Sequence, residues 1–405
     1  MTSEGLKQNL AGFDYTPRPR IVFGVDSVER LPEIIADVKG ARVLIVTDAG
    51  IIKAGHLERV TALLSKEKIL YFVYDKVKEN PTTLDVQSCL EMAKANNIDC
   101  LIGLGGGSSM DTAKGCNFLY TNGGEMKDYW GVGKANKEML PLVAIPTTSG
   151  TGSECQSFAL IADEKTHVKM ACGDPKAMAR VALLDPSLTL SQPFKVTACT
   201  GIDAIVHAVE TAVTRKRNRL SLMYSHESFK LCVQNLPKAL LNPGDIEARS
   251  AMLLGAAFAG TAIENSMLGA VHAAANPLTA NFGIVHGHAV GIMLPHVVRF
   301  NAGENQALLE YGELASAPEV ACVSEGLDVA VEKLIARLES LLNLAQVPRS
   351  LEEAGVSEVS IKKLASEAAS QWTCHFNPRP VTTGDFEKLY SSAFEKRGEG
   401  DSAVI

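Results

Sequence analysis

Cys100-Leu-Ile-Gly-Leu-Gly-Gly-Gly-Ser-Ser-Met-Asp-Thr-Ala-Lys114 runs from an apolar strand-like segment through a glycine triplet into the start of a helical pattern. Glycines there let the backbone approach a ligand, and the free N–H groups of a helix's first turn face an anion. The stretch reads as a phosphate cradle, although a tight strand-to-helix turn N-capped by serine fits the same letters. Its setting is repeated on both sides. Strand-like runs at Arg42–Thr47, Ile69–Tyr74, Cys100–Leu104 and Pro141–Ile145 alternate with helical patterns near 53–66, 83–97 and 109–120. Such alternation predicts an α/β fold with a mostly parallel sheet covered on both faces.

Two further loops follow strands of the same sheet: Asp48-Ala-Gly50, and Pro146-Thr-Thr-Ser-Gly-Thr-Gly-Ser-Glu154. Open α/β sheets bind nucleotides at the carboxyl ends of parallel strands. The ordinary dinucleotide fingerprint puts its acid about 20 residues after the glycines, whereas Asp48 precedes them. A carboxylate after the first strand can still accept from an adenosine ribose while the later loop holds the pyrophosphate.

Beyond Leu183-Leu-Asp-Pro186 the texture becomes helical, with periodic stretches at 200–214, 222–240, 246–269, 305–318 and 325–345. A boundary is expected between Leu188 and Gln192, giving an α/β domain over 1–190 and an all-α domain over 191–405. The chain of 405 residues, 46% of them hydrophobic, is long enough for two such cores.

A net charge of −7 and no basic run longer than Arg215-Lys216-Arg217, itself read as a solvated helix end, argue against nucleic acid or an anionic membrane as partner. Nine scattered cysteines (Cys89, Cys100, Cys116, Cys155, Cys172, Cys199, Cys232, Cys322, Cys374) form no C-x-x-C pair, so a reduced, cytoplasmic protein is expected. The most apolar window, Met252–Ile263, is too short to span a bilayer.

Six of the nine histidines lie between His207 and His296. Asp203 and His207, four apart, share a helix face and can grip one cation; His272 and His286 lie in the segments that can supply the remaining ligands. One carboxylate with imidazoles suits Fe²⁺ or Zn²⁺ rather than Mg²⁺ or Ca²⁺. The same spacing also fits a surface pair or a satisfied core histidine. His272, among Ala270, Val271 and Ala273–Ala275, needs a partner in such apolar surroundings, and a cation is one candidate.

Taken together, Gly105-Gly-Gly-Ser-Ser-Met-Asp111, Pro146–Glu154, Gly201-Ile-Asp203-x-x-x-His207, His286-Gly with Leu294-Pro295-His296, and Asn377-Pro-Arg-Pro380 resemble the iron-containing (group III) alcohol dehydrogenases from Pro19 to about Phe394. The resemblance implies a dinucleotide-binding N-terminal domain, a helical C-terminal domain and an active site in the cleft between them. It implies Asp203, His207, His272 and His286 as ligands of Fe²⁺, or alternatively Zn²⁺, through which they act in catalysis. For NAD(H), beside Asp48 as read from its place after the first strand, it implies Asn80, Gly105, Gly106, Gly107, Ser108, Ser109, Thr147, Thr148, Thr151 and Lys169. A substrate pocket of Phe158, Ile263, Leu268, Trp372 and His375 follows from the same comparison, and with it a small primary alcohol or aldehyde. A homodimer or larger homo-oligomer is expected.

The chain departs from the family at Asn276, where a second histidine often stands, and at Gln371-Trp372-Thr373, where Asp-x-Cys is usual. The implied chemistry is hydride transfer between an alcohol and nicotinamide, with the metal as Lewis acid. Rival readings are a glycerol-dehydrogenase-like or hydroxy-acid dehydrogenase on the same scaffold, or a non-catalytic nucleotide-binding protein with a structural metal. A dehydroquinate-synthase-like activity would need a pocket rich in Lys and Arg, and few basic residues flank the ligands.

Overall fold

A computed structural model describes residues 12–166, 168–318, 320–321 and 325–394. It divides into two compact units, Tyr15–Gln192 and a second that starts at Pro193 and takes in residues 12–14.

The first unit is built on a six-stranded sheet. Its strands are β1 (Arg20–Phe23), β2 (Arg42–Val46), β3 (Leu70–Tyr74), β4 (Cys100–Gly105), β6 (Leu142–Pro146) and β9 (Val181–Leu184), in the order β1-β9-β6-β4-β2-β3. Every pairing in it is parallel. A smaller sheet joins β5 (Gly131–Val132), β7 (Phe158–Ala162) and β8 (Lys169–Gly173), with β7 and β8 antiparallel.

The period-2 alternation of β2 explains why both faces are covered. Val43 and Ile45 enter one apolar layer and Leu44 and Val46 the other, so each face needs helices to exclude water. Those are α1 (Leu31–Asp37), α2 (Ala49–Lys53), α3 (His56–Lys66), α4 (Thr83–Ala95) and α5 (Gly107–Asn122). The helix expected over 53–66 is two helices, because Gly55 takes a left-handed φ of +81° and breaks the turn. The short strands β1, β7, β8 and β9 went unread in the sequence, being four or five residues long without clear bounding turns.

Among its described residues the second unit is helical: α6 (Phe194–Thr211), α7 (Arg219–Leu241), α8 (Ile246–Ser266), α9 (Ala270–Phe282), α10 (His286–Asn301), α11 (Asn305–Ala315), α12 (Leu327–Leu344), α13 (Ile361–Ala369) and α14 (Thr383–Phe394). Its core is one continuous cluster that includes Ile205, Phe229, Met252, Val290, Leu334 and Phe386. Helix α8 is long and apolar enough to cross a membrane by length and composition alone, but 67% of its most apolar window is buried in the unit. Close approach depends on glycine: a Cβ on Gly201 would lie 2.4 Å from Leu236 of α7, and one on Gly287 2.3 Å from the carbonyl oxygen of Cys199 in α6.

The basic triplet is not a simple solvated helix end. Arg215 and Lys216 are exposed, yet Arg215 Nε donates to the Pro378 carbonyl and Arg217, its side chain only 9% exposed, pairs with Glu310. The eight cysteines among the described residues are all free; Cys322 lies outside them.

Candidate functional site

In the first unit, β4 delivers the chain to the glycine loop at the middle of the sheet. The chain passes from β2 outward to β3 and then to β4 on the other side of β2, so β2 and β4 flank a point where strand order reverses. Asp48 follows one of these strands and Gly105 ends the other. One Asp48 oxygen caps α2, accepting from Gly50 N–H at 2.7 Å and Ile51 N–H at 3.1 Å. The other faces Gly105, whose Cβ, if present, would lie 3.4 Å from it.

A serine-capped turn would have its cap here, and it does not. Helix α5 starts after Gly106 with no side-chain cap hydrogen bond. Ser109 Oγ is buried with no hydrogen-bond partner, as are Thr47 Oγ1 and Ser149 Oγ, beyond the ends of β2 and β6. Orphaned buried hydroxyls are expensive, and three beside an uncapped helix start fit a phosphate-bearing ligand better than a bare turn. Thr148 and Thr151 stand against the Cα positions of Gly106 and Gly107, and Thr147 N–H donates to the Gly105 carbonyl. Ser108 opens the first turn and is half-buried. Thr47 and Ser149 were missed in the sequence because a single hydroxyl carries no pattern.

Lys169 and Asn80 are brought together, Nζ donating to Oδ1 at 3.3 Å. Asn80 is left-handed at φ 52°, a conformation asparagine tolerates. Beneath the loop lies a second unanticipated feature. Lys114, fully buried on α5, donates to the Ser153 carbonyl, the Ser153 hydroxyl and the Phe158 carbonyl at 2.6–3.0 Å. Ser153 in turn donates to Asp111, so the segment after β6 is stapled to the glycine-loop helix.

In the second unit the four expected ligands converge. Asp203 and His207 lie one turn apart on α6, His272 is the third residue of α9 and His286 the first of α10. From Asp203 Oδ1, the Nε2 atoms of His207, His272 and His286 are 3.4, 3.7 and 3.7 Å away. A tetrahedron with bonds of about 2.1 Å has edges of about 3.4 Å, which the three distances from Asp203 approach; the ligand atoms of Asp203, His207 and His272 also lie within 4.8 Å of one another, a group that His286 joins through Asp203 alone. Asp203 Oδ1 and His272 Nε2 are buried with no hydrogen-bond partner, and a cation satisfies both. Asp203, His207 and His272 are buried, while the His286 side chain is one-third exposed. Site and ion fit.

Glu210, unread in the sequence although it continues the Asp203/His207 face at i+7, completes the arrangement. Its Oε2 holds His272 Nδ1, and its Oε1 accepts from Val271 N–H at 2.7 Å. Asn377 Oδ1 accepts from the neighbouring Ala270 N–H, and its amide exchanges hydrogen bonds with Asn301. Two free N–H groups at the start of α9 are thereby satisfied, which fixes the helix that presents His272. Burial by itself would depress the His272 pKa, but the carboxylates of Glu210 and Asp203 overcome it and raise it to about 9. Burial pushes Asp203 upward, and His207, His272 and His286 pull it well below the ordinary carboxylate range. Two carboxylates against four ligand positions are the balance a divalent ion neutralises.

Family models cover both parts of the chain: iron-containing alcohol dehydrogenase over residues 17–186, and the C-terminal region of the Fe-containing alcohol dehydrogenase family over 197–394. The chain belongs to the iron-containing alcohol dehydrogenase family. Among its relatives in that family, alcohol dehydrogenase 4 of Schizosaccharomyces pombe is 37% identical over 350 residues, 86% of this chain and 82% of the relative. The NAD-dependent methanol dehydrogenase of Bacillus methanolicus is 33% identical over 376 residues, 93% and 98%. A crystal structure of 1,3-propanediol oxidoreductase superposes with a TM-score of 0.91 at 28% identity, covering 95% of this chain and 100% of that one. Membership makes the chain an alcohol/aldehyde oxidoreductase linked to NAD.

The expected pocket residues are distributed unevenly. Ile263 lies in the last turn of α8 and is 5% exposed, Leu268 is half-buried just past that helix, and Trp372 and His375 are exposed on a short 3₁₀ turn, Trp372–Phe376. That turn is tied to the His272 helix, since Asn276 Nδ2 donates to Gln371 Oε1 at 3.1 Å. Trp372 packs edge-on against Phe376. Phe158 belongs to the first unit, where its ring covers Gly173 across the β7–β8 pair.

Proposed function

We propose that the chain interconverts a small primary alcohol and its aldehyde, with Asp203, His207, His272 and His286 holding Fe²⁺, or alternatively Zn²⁺, and the glycine loop holding NAD(H). The observation that carries this reading is the set of three imidazole nitrogens within 3.7 Å of one carboxylate oxygen. A divalent ion in such a shell supplies Lewis acidity toward an alcohol or carbonyl oxygen, and nicotinamide supplies or accepts hydride. The chain's own residues do the positioning. Glu210 holds the His272 ring so that Nε2 faces Asp203, and Asn377 holds the helix on which that ring stands.

Toward the cofactor, the uncapped start of α5 and the hydroxyls of Ser109, Ser149 and Thr47 meet phosphate. The free Asp48 oxygen accepts from ribose hydroxyls and repels a 2′-phosphate, which favours NAD(H) over NADP(H). Lys169, beside Asn80, is assigned to the nicotinamide ribose. In the helical unit, Ile263, Leu268 and Trp372, with His375, are assigned to a pocket wall suited to small unbranched substrates. Asn276 offers no titrating imidazole, so protons leave through water or the cofactor ribose rather than through a histidine at that place.

Cytoplasmic location accords with the free cysteines. The exposed Ile21 and Phe23 on edge strand β1 offer apolar surface for a homodimer or larger assembly, to be checked by sedimentation. The functional reading is tested by following reduced nicotinamide on adding NAD⁺ and a panel of primary, secondary and hydroxy-acid alcohols, with and without chelator. Chelator-sensitive oxidation strongest for short primary alcohols is expected. No turnover on any member, or turnover indifferent to metal removal, overturns the reading.

A further inference from the structure

We propose that His226, Glu310 and Glu313 form a second divalent-cation site, separate from the Asp203 cluster and taking Zn²⁺. His226 stands on α7, and Glu310 and Glu313 occupy positions i and i+3 on one face of α11. One ligand atom from each lies within 4.8 Å of the others. Glu310 supplies the observation that points to an ion. The residue is 3% exposed, and its Oε2 is buried without a hydrogen-bond partner. That oxygen faces His226 Nε2 at 4.0 Å, too far for a hydrogen bond and able to close onto a shared ion by small side-chain rotations.

The chain offers only partial compensation for this buried carboxylate. Arg217 Nε sits 3.4 Å from Oε1, the opposite oxygen, and leaves Oε2 to find another positive partner. Glu313 beside it adds like-charge repulsion that a cation converts into attraction. Burial, the largest influence, holds the His226 imidazole below its ordinary pKa; Glu313 opposes this and Arg219 adds to it. A neutral imidazole offers a metal one ring-nitrogen lone pair. One imidazole with two carboxylates is a zinc-type donor set. The positive charges of Arg217 and Arg219 make the site weaker than the Asp203 cluster. Because its ligands come from α7 and α11, an ion there clips two helices together and stabilises the unit without entering the reaction.

The test titrates chelator-stripped full-length protein with Zn²⁺ and counts bound ions per chain after gel filtration. Wild type is expected to hold two, His226→Ala and Glu313→Gln one each, and His272→Ala one that disappears when Glu313→Gln is added. Zn²⁺ should also raise the melting temperature of His272→Ala but not of His272→Ala/Glu313→Gln, and alcohol oxidation by Glu313→Gln should stay within about two-fold of wild type. Glu313 is not buried, so its variant decides the matter if His226→Ala folds poorly. A Glu313→Gln that holds as many Zn²⁺ as wild type overturns the proposal; a His272→Ala that holds as many as wild type instead removes the Asp203 assignment and leaves this one standing.

Discussion

At the scale of single residues, Glu210 carries the most weight for its visibility. It touches no proposed substrate or ion, yet it orients His272 through Nδ1 and caps α9 through Val271. Removing its charge while keeping its shape, as in Glu210→Gln, is expected to weaken metal affinity by about 10–100-fold. Titration of the stripped protein with Fe²⁺ or Zn²⁺ measures this, and an unchanged affinity assigns Glu210 to packing alone. Glu154 makes a different prediction. It is buried with Oε1 unpartnered, and burial, only partly offset by its own backbone N–H and by Lys114, raises its pKa to about 7. An acid with a raised folded-state pKa binds more protons folded than unfolded between its two values, so stability is full below about 4.5 and is lost as pH rises toward 7. The loss is on the order of 3 kcal/mol, and Glu154→Gln should flatten it in urea melts across that range; an equal slope in both proteins refutes the account. Neither residue was legible from spacing alone. Asp203 and His207 were, because two ligands one turn apart form a pattern, whereas a third acidic residue on the same face is indistinguishable in sequence from an ordinary helical carboxylate.

Elements bring these residues together, and at this scale the sequence was readable where periodicity was strong. Strands β2, β3, β4 and β6 stood out as runs of β-branched and aliphatic residues, and α6, α7, α8, α11 and α12 as long helical patterns. Helices α9 and α10 were seen only as histidine-bearing segments, since Pro277, Gly283 and Pro295 interrupt the signals by which helices are recognised. Their junction places two of the four ligands: Gly283 ends α9 with a left-handed φ of +65° and His286 starts α10 three residues later. Gly287 then allows α10 to lie on α6, because any side chain there meets the Cys199 backbone. Gly287→Ala is therefore expected to push α10 away from α6, lower stability by about 1–3 kcal/mol and move His286 out of reach of Asp203. Thermal melts and metal content together check it, and a variant as stable and as metal-loaded as wild type would show that the helices yield without consequence.

For the whole molecule, two halves of the chain with different architectures carry the two candidate sites, a glycine loop on a parallel sheet and a cluster of one carboxylate and three imidazoles in a helical unit. Both architectures were legible, the first from alternation and the second from its loss after Pro186. The particular substrate was not, because it depends on the shape that side chains such as Trp372 and Phe158 give a pocket, and no spacing in the sequence encodes that shape. Trp372→Ala should flatten the dependence of kcat/KM on alcohol chain length; unchanged preference with lower stability would make the ring a packing residue. Cofactor choice belongs to this scale too, since it links an N-cap to the sheet's reversal point. Asp48→Asn keeps a side chain able to cap α2 but removes the charge facing Gly105, so NADP(H) should gain relative to NAD(H) at fixed substrate. An unchanged ratio removes Asp48 from cofactor selection. The central claim, that four side chains of the helical unit hold the ion the reaction needs, is tested most directly by counting Fe²⁺ per chain in protein carrying Glu313→Gln, so that one site is counted, with and without His272→Ala or His286→Ala. One ion per chain falling below about a tenth in either variant, from the loss of one of four ligands, is the predicted result; full occupancy in both would contradict it.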